Sequence, residues 1–285
     1  MTEAVAVRLL GGRALAALHD AELPQKDELC GAFWGSLALR AFGIESVRDE
    51  PVDQDLVARE AGTTLSHGDP YESLPPGEQP RVDYRLELPV AADPAGAGTA
   101  ASSLARAIES CSGGRLAVVR VAGDWRAGAV TLLLERALEQ APEAVLVANL
   151  ATRHLWASKP DPALLLAVLA GEEVDGPPSE WDVGHFVSLG LVVRGPGGVL
   201  VGVRDTYRSL GWNGNHLQPP GALAAALERG DGVEGGVLCV CRPVEAEALA
   251  ERLRADGFAL RDWDNGSVPG STPGRDSERS RVERN

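Results

Sequence analysis

Two apolar, β-branched runs, residues 184–194 and 198–205, flank the tetrapeptide Gly195-Pro196-Gly197-Gly198. Runs of this kind joined by a Gly/Pro turn specify a β-hairpin. With the turn at 195–198, His185 and Asp205 fall at similar heights on paired strands. One bulge would change the face that each presents, so their facing is not set by the pattern.

The rest of the chain alternates helical and strand-like patterns. Residues 5–20 carry Val5, Leu9, Leu10, Leu15 and Leu18 at helical spacing, interrupted by Gly11-Gly12, and predict a first amphipathic helix. A second helix is predicted from Cys30 to Phe42, with Gly43 as its left-handed terminator, and a short third at 53–61. The Ser, Gly, Asp and Pro of 63–79 mark a loop, Val82–Leu88 alternates like a half-buried strand, and 91–101 reads as a flexible link. Helices near 101–111 and 127–141 alternate with strands at 116–121 and 144–149, an α/β stretch expected as an insertion over about 82–150. A helix near 161–170 precedes the hairpin; helices near 219–228 and 243–256 and strands near 236–242 and 257–263 follow it. Residues 1–265 are expected to form a single domain. Residues 266–285, nearly free of apolar side chains, are expected to form a disordered tail.

A length of 285 residues, 44% of them hydrophobic, supports one sizeable domain with an insertion or two small ones. The formal charge of −14 argues against nucleic acid or an anionic membrane as the main partner. Met1–Leu23 contains Arg8 and Arg13 and lacks an uninterrupted apolar core, so it is expected to be neither signal peptide nor membrane span. No later run is apolar enough to span a membrane, and a cytoplasmic location is expected. The cysteines Cys30, Cys111, Cys239 and Cys241 do not make a disulfide framework in a chain of this size. Cys239-Val240-Cys241 is expected to point its thiols to opposite faces of a strand, which disfavours a shared metal. His19, His67, His154 and His216 show no metal-ligand spacing. Neither a metal nor a cofactor is expected.

Cys30 opens a predicted helix. A thiolate there is favoured by the helix N-terminus and by a neighbouring imidazolium, for which His185 is the candidate. Asp205 could fix the His185 tautomer by accepting from its other ring nitrogen. The Gln25 amide, with the Cys30 backbone N–H, could hold an oxyanion, and Gly31 would let a substrate backbone approach. Each residue also has an ordinary explanation: a core cysteine, a hairpin histidine, a turn aspartate, a solvated or capping glutamine. Their order along the chain favours a common site.

Taken together, Gln25…Cys30-Gly31, Gly184-His185-Phe186-Val187 and Arg204-Asp205-Thr206-Tyr207 resemble the motifs of the C39-type, papain-like cysteine peptidases, which trim leader peptides from bacteriocin precursors. The resemblance covers residues 24–43 and 184–208. It implies an α/β (α+β) fold in which a helix carrying the cysteine packs on an antiparallel sheet. It assigns Cys30 as nucleophile, His185 as general base, Asp205 as its orienting partner and Gln25 as oxyanion donor. Gly31, Gly184 and Trp212 would line the substrate cleft. The chain departs from the family in having Gln25 one residue nearer to Cys30, a longer Cys-to-His separation and no transporter domain.

The function so implied is acyl transfer through a Cys30 thioester on a peptide or acyl-donor substrate, with peptide bond hydrolysis as the default and a ribosomally made precursor peptide as one candidate substrate. An acyltransferase or peptide cyclase on the same triad, and a non-catalytic papain-like peptide-binding protein, are the alternatives. Oligomeric state is left open.

Overall fold

The hairpin forms as β6 (Gly184–Arg194) and β7 (Val199–Arg204) in the computed structural model, which describes residues 6–68 and 73–269. The other strands are β1 (Ala6–Leu9), β2 (Ser46–Val47), β3 (Glu50–Pro51), β4 (Ala117–Ala122), β5 (Val145–Ala151), β8 (Asn215–Gln218), β9 (Gly236–Cys241) and β10 (Ala259–Leu260). The α-helices are α1 (Gly12–Glu22), α2 (Cys30–Ala41), α3 (Gln54–Ala61), α4 (Ala101–Cys111), α5 (Ala127–Gln140), α6 (Pro162–Ala170), α7 (Pro220–Glu228) and α8 (Pro243–Ala255).

These elements make a mixed α+β fold. An antiparallel eight-stranded sheet runs β10-β4-β9-β5-β6-β7-β8, with β1 added beside β6. Side chains alternate across it. In β5, Val145 and Val147 join a core formed with α1–α4, while Leu146, Ala148 and Leu150 join the opposite core formed with α5, α7 and α8. Burial on both faces explains why this strand is apolar apart from Asn149, whose Oδ1 accepts from Arg229 Nη1 at 2.9 Å.

Several expectations change. Residues 6–9 are not helical: they pair with Leu191–Arg194, and only the part after Gly11, whose φ is +73°, forms α1. The 82–150 segment supplies β4 and β5 to the interior of the same sheet, with β9 between them. Cys239 and Cys241 share one face, as residues two apart on a strand must, and both lie in the α5–α7–α8 core.

Val82–Leu88 is not a strand. Its backbone groups are satisfied by side chains instead: Asp55 Oδ1 accepts from Arg85 N at 2.6 Å and Leu86 N at 3.3 Å, and Lys26 Nζ donates to the Asp83 carbonyl at 2.7 Å. With these groups engaged, no neighbouring strand is needed. The link before α4 is also anchored, since Asn265 Oδ1 accepts from Ala101 N at 2.8 Å and Asn265 Nδ2 donates to the Thr99 carbonyl at 3.1 Å. The expected tail is ordered at its start: Ser267 Oγ donates to the Ala97 carbonyl at 3.0 Å and Val268 N to that of Gly96 at 3.1 Å. Its remainder, 270–285, lies outside the described residues. No helix among the described residues is long and apolar enough to cross a membrane.

Candidate active site

Cys30 is the first residue of α2, a helix whose residues Gly31–Leu39 are all buried. Trp34 Nε1 donates to the Phe186 carbonyl at 3.1 Å, which docks the helix beside the start of β6. Gly31 permits the close approach: a Cβ there would stand 3.1 Å from Thr99 Cβ and 3.2 Å from Phe186 Cδ2. Gly31 therefore packs against protein and does not line the cleft. Cys30 itself is half-buried and lines a cavity of about 400 Å³ with Gln25, His185, Trp181, Tyr207 and Arg229.

The facing of His185 and Asp205 rests on a bulge. Ser188 and Leu189 oppose Arg204 and Val203, but the register shifts by one residue between Leu189 and Leu191. Carried past the strand ends, the register on the near side of the bulge puts His185 and Asp205 on one face. The register on the far side would put them on opposite faces. His185 Nε2 stands 3.0 Å from Asp205 Oδ1 and 3.2 Å from Thr206 Oγ1. With Nε2 engaged, Nδ1 is the nitrogen left for Cys30, which lines the same cleft.

Burial opposes a charge on His185, but the charge and hydrogen bond of Asp205, joined by Cys30, outweigh it and push the imidazole up to about 10. Burial likewise opposes the Asp205 charge, yet His185 and His216 hold the carboxyl well below the usual range. Asp205 also accepts from Thr206 N at 2.7 Å. The His185 ring is covered by the edge of Trp181, centroids 4.7 Å apart, and by Tyr207, 6.2 Å away and nearly parallel.

Three histidines, not one, surround Asp205. Gln218 Nε2 donates to His216 Nδ1 at 3.0 Å, so His216 carries its proton on Nε2, 3.6 Å from Asp205 Oδ2. His19, lowered by burial and stacked on Trp34, donates from Nε2 to the Asp205 carbonyl at 2.6 Å. Neither histidine carried a local signal, because each reaches Asp205 only through the tertiary fold. Tyr207 sat within the Asp205 motif and Trp181 within a loop of unremarkable composition.

Gln25 is buried in the same cleft, tied by its backbone N–H to the Thr206 carbonyl at 3.0 Å. Its Oε1 has no hydrogen-bond partner among the described residues. The turn from Gln25 to Leu29 is fixed from outside. Asp27 N donates to the Arg81 carbonyl, Arg81 N donates back to Asp27 Oδ1, both at 3.0 Å, and Tyr84 Oη donates to the Asp27 carbonyl at 3.1 Å. The segment that is not a strand thus straps down the turn before Cys30.

Gly184 lines the cleft beside Arg229, whose Nη2 would lie 2.8 Å from a Cβ at that position. Trp212 does not: it lines a separate cavity formed by residues of β1, α1, β6, β7 and β8. Among the described residues no His, Cys, Asp or Glu cluster has the composition of a metal site.

Residues 9–264 match the profile of a family of unknown function (DUF6885), and the chain belongs to that family. No curated protein matches it.

Proposed function

We propose that the chain is a cysteine-dependent acyl-transfer enzyme of papain-like design, similar to the C39-type peptidases. The observation that carries this reading is the buried His185–Asp205 pair, 3.0 Å apart, with His185 in one cleft with a thiol at a helix N-terminus. In that reading His185 holds the thiol proton and Cys30 attacks the substrate carbonyl as thiolate. The oxyanion is met by the Cys30 N–H and the Gln25 amide. His185 then protonates the leaving amine, which departs and leaves a Cys30 thioester. Attack by water, with its proton passing to His185, completes peptide hydrolysis; attack by an amine in its place completes transfer.

The test is iodoacetamide labelling of the native protein across pH 5 to 9, with each cysteine mapped by mass spectrometry. Burial pushes the Cys111 thiol up to about 11 and that of Cys241 up to about 12, and raises Cys239 further. Those three should resist until unfolding, while Cys30 labels roughly tenfold faster or more at mildly acidic pH. His185→Ala should abolish the selectivity without unfolding the chain. Equal, slow reaction of all four cysteines would overturn the reading.

A further inference from the structure

Arg204 closes β7 and, as the neighbour of Asp205 on an extended chain, turns its side chain the other way. It is only 6% exposed. Its guanidinium lies over the bulge, where a Cβ on Gly190 would stand 1.9 Å from Nη1. Nη1 is buried without a hydrogen-bond partner, and among the described residues no carboxylate pairs with Arg204. Across the β6–β7 ladder the Ser188 hydroxyl is buried and unpartnered as well. Burial pulls the guanidinium down to about 10, which still leaves it charged at neutral pH. A fold rarely retains an unpaired buried charge unless something outside the chain compensates it.

Beside this charge lies a cavity of about 350 Å³ that shares no lining residue with the Cys30 cleft. That volume falls within the usual small-molecule range of roughly 300–1,000 Å³. Its walls are mainly apolar, with Leu9, Ala16, Leu191, Trp212 and Leu217. Asn215 and His216 also line it, but their side chains are already engaged: the Asn215 amide donates to the Trp212 and Asn213 carbonyls, and His216 lies between Gln218 and Asp205. Leu9 and Trp212 are 40% and 53% exposed, apolar surface that an occupant would cover. With Asn215 and His216 engaged within the chain, one arginine in a mainly apolar lining matches a singly charged, planar anion better than a phosphate, which gathers several donors.

We propose that this cavity binds the carboxylate of a molecule with an apolar body, Arg204 supplying the counter-charge. The carboxylate could belong to a free organic acid or to the C-terminus of an apolar peptide. The inference is independent of the chemistry at Cys30.

Calorimetric titration of the full chain tests it with two matched pairs: octanoate against 1-octanol, and N-acetyl-Leu-Leu against its C-terminal amide. At least one carboxylate should bind about tenfold tighter than its neutral partner, and Arg204→Met should erase that preference. The pair that shows the preference identifies the source. Absence of preference in both pairs overturns the proposal. Because Arg204→Met could disturb folding, Ala16→Phe gives a second reading: it fills the cavity from α1 and leaves Arg204 in place. It should weaken carboxylate binding about tenfold, and unchanged binding also overturns the proposal.

Discussion

Lys26 Nζ and Asp55 Oδ2 meet 2.5 Å apart in the interior, joining the turn before Cys30 to α3. Asp55 is fully buried and also accepts from the backbone of Arg85 and Leu86, so one carboxylate organises both the turn and the strap over it. Asp55→Ala leaves the Lys26 charge buried and unpaired, a loss on the order of 3–5 kcal/mol. Lys26→Met with Asp55→Leu removes both charges and should recover much of that stability, while leaving the strap's N–H groups without an acceptor. The double variant is therefore expected to fold and still to lose selective Cys30 labelling. Chemical denaturation and cysteine mapping measure the two effects separately, and full labelling in the double variant would show that the turn does not need the strap.

The pair of His185 and Asp205 gives stability a definite pH window. His185 rises from an unfolded value near 6.5 to about 10 in the fold. Its contribution is therefore complete below about pH 6.5 and disappears as pH climbs toward 10. Asp205 is shifted the other way, so its contribution is present above about pH 4, the ordinary carboxylate range, and fades as the solution becomes more acidic. These are two edges of one interaction and are counted once. Unfolding free energy should fall between about pH 7 and pH 10, and His185→Gln should flatten that decline. An equal alkaline slope in the variant would assign the loss to other groups.

What was legible in the chain was whatever depends on neighbours in sequence. The apolar spacing of α2, the Gly/Pro turn between β6 and β7, and Gly43, whose φ is +72°, were readable because each acts within a few residues. The site was legible as an order of residue types, Gln25, Cys30, His185 and Asp205, and the structure brings all four to one cleft region. Residues 6–9 were misread because four residues are too few to separate a strand from the start of a helix, and pairing with β6 decides the matter. Val82–Leu88 alternates as a strand should, but its backbone partners are Asp55 and Lys26, far away in sequence. The resemblance implies a cleft position for Trp212, whereas the turn at Asn213-Gly214 and the strand that follows place it with Leu217 in the lining of the other cavity. His19 reaches Asp205 from α1 and His216 from β8, and it is the packing of α1 and the pairing of β8 with β7 that bring them there.

Glycines in two helices should respond to alanine with opposite signs. Gly35 lies where α2 crosses α3 and α4: a Cβ would stand 2.8 Å from Val57 Cγ1 and 2.9 Å from Leu104 Cδ1. Overpacking of about 1–3 kcal/mol should exceed the helical advantage of alanine, about 1 kcal/mol, so Gly35→Ala lowers the melting temperature. Gly128, in the first turn of α5, has open space where its Cβ would be, and Gly128→Ala should hold or raise the melting temperature. A stabilising Gly35→Ala would mean that α2 can move away from its neighbours.

The C-terminal boundary of the folded unit lies beyond Gly266, where composition alone had set it. Val268 N and Ser267 Oγ bond to the Gly96 and Ala97 carbonyls, and a Cβ on Gly96 would stand 2.9 Å from Val268 Cγ2, so the two segments pack closely. Ala97, Gly98 and Ser267 line the Cys30 cleft, which makes this contact part of its wall. A chain ended at Pro269 keeps both hydrogen bonds and should unfold at the temperature of the full chain. A chain ended at Gly266 loses both, at about 0.5–1.5 kcal/mol each, and frees the 94–99 segment. Hydrogen exchange should then quicken at Gly98, whose N–H donates to the Thr64 carbonyl at 2.8 Å, and at Thr64, whose N–H donates to the Gly98 carbonyl at 3.1 Å. Equal melting temperatures and unchanged exchange in the two truncations would show that Ser267 and Val268 rest on the cleft wall without supporting it.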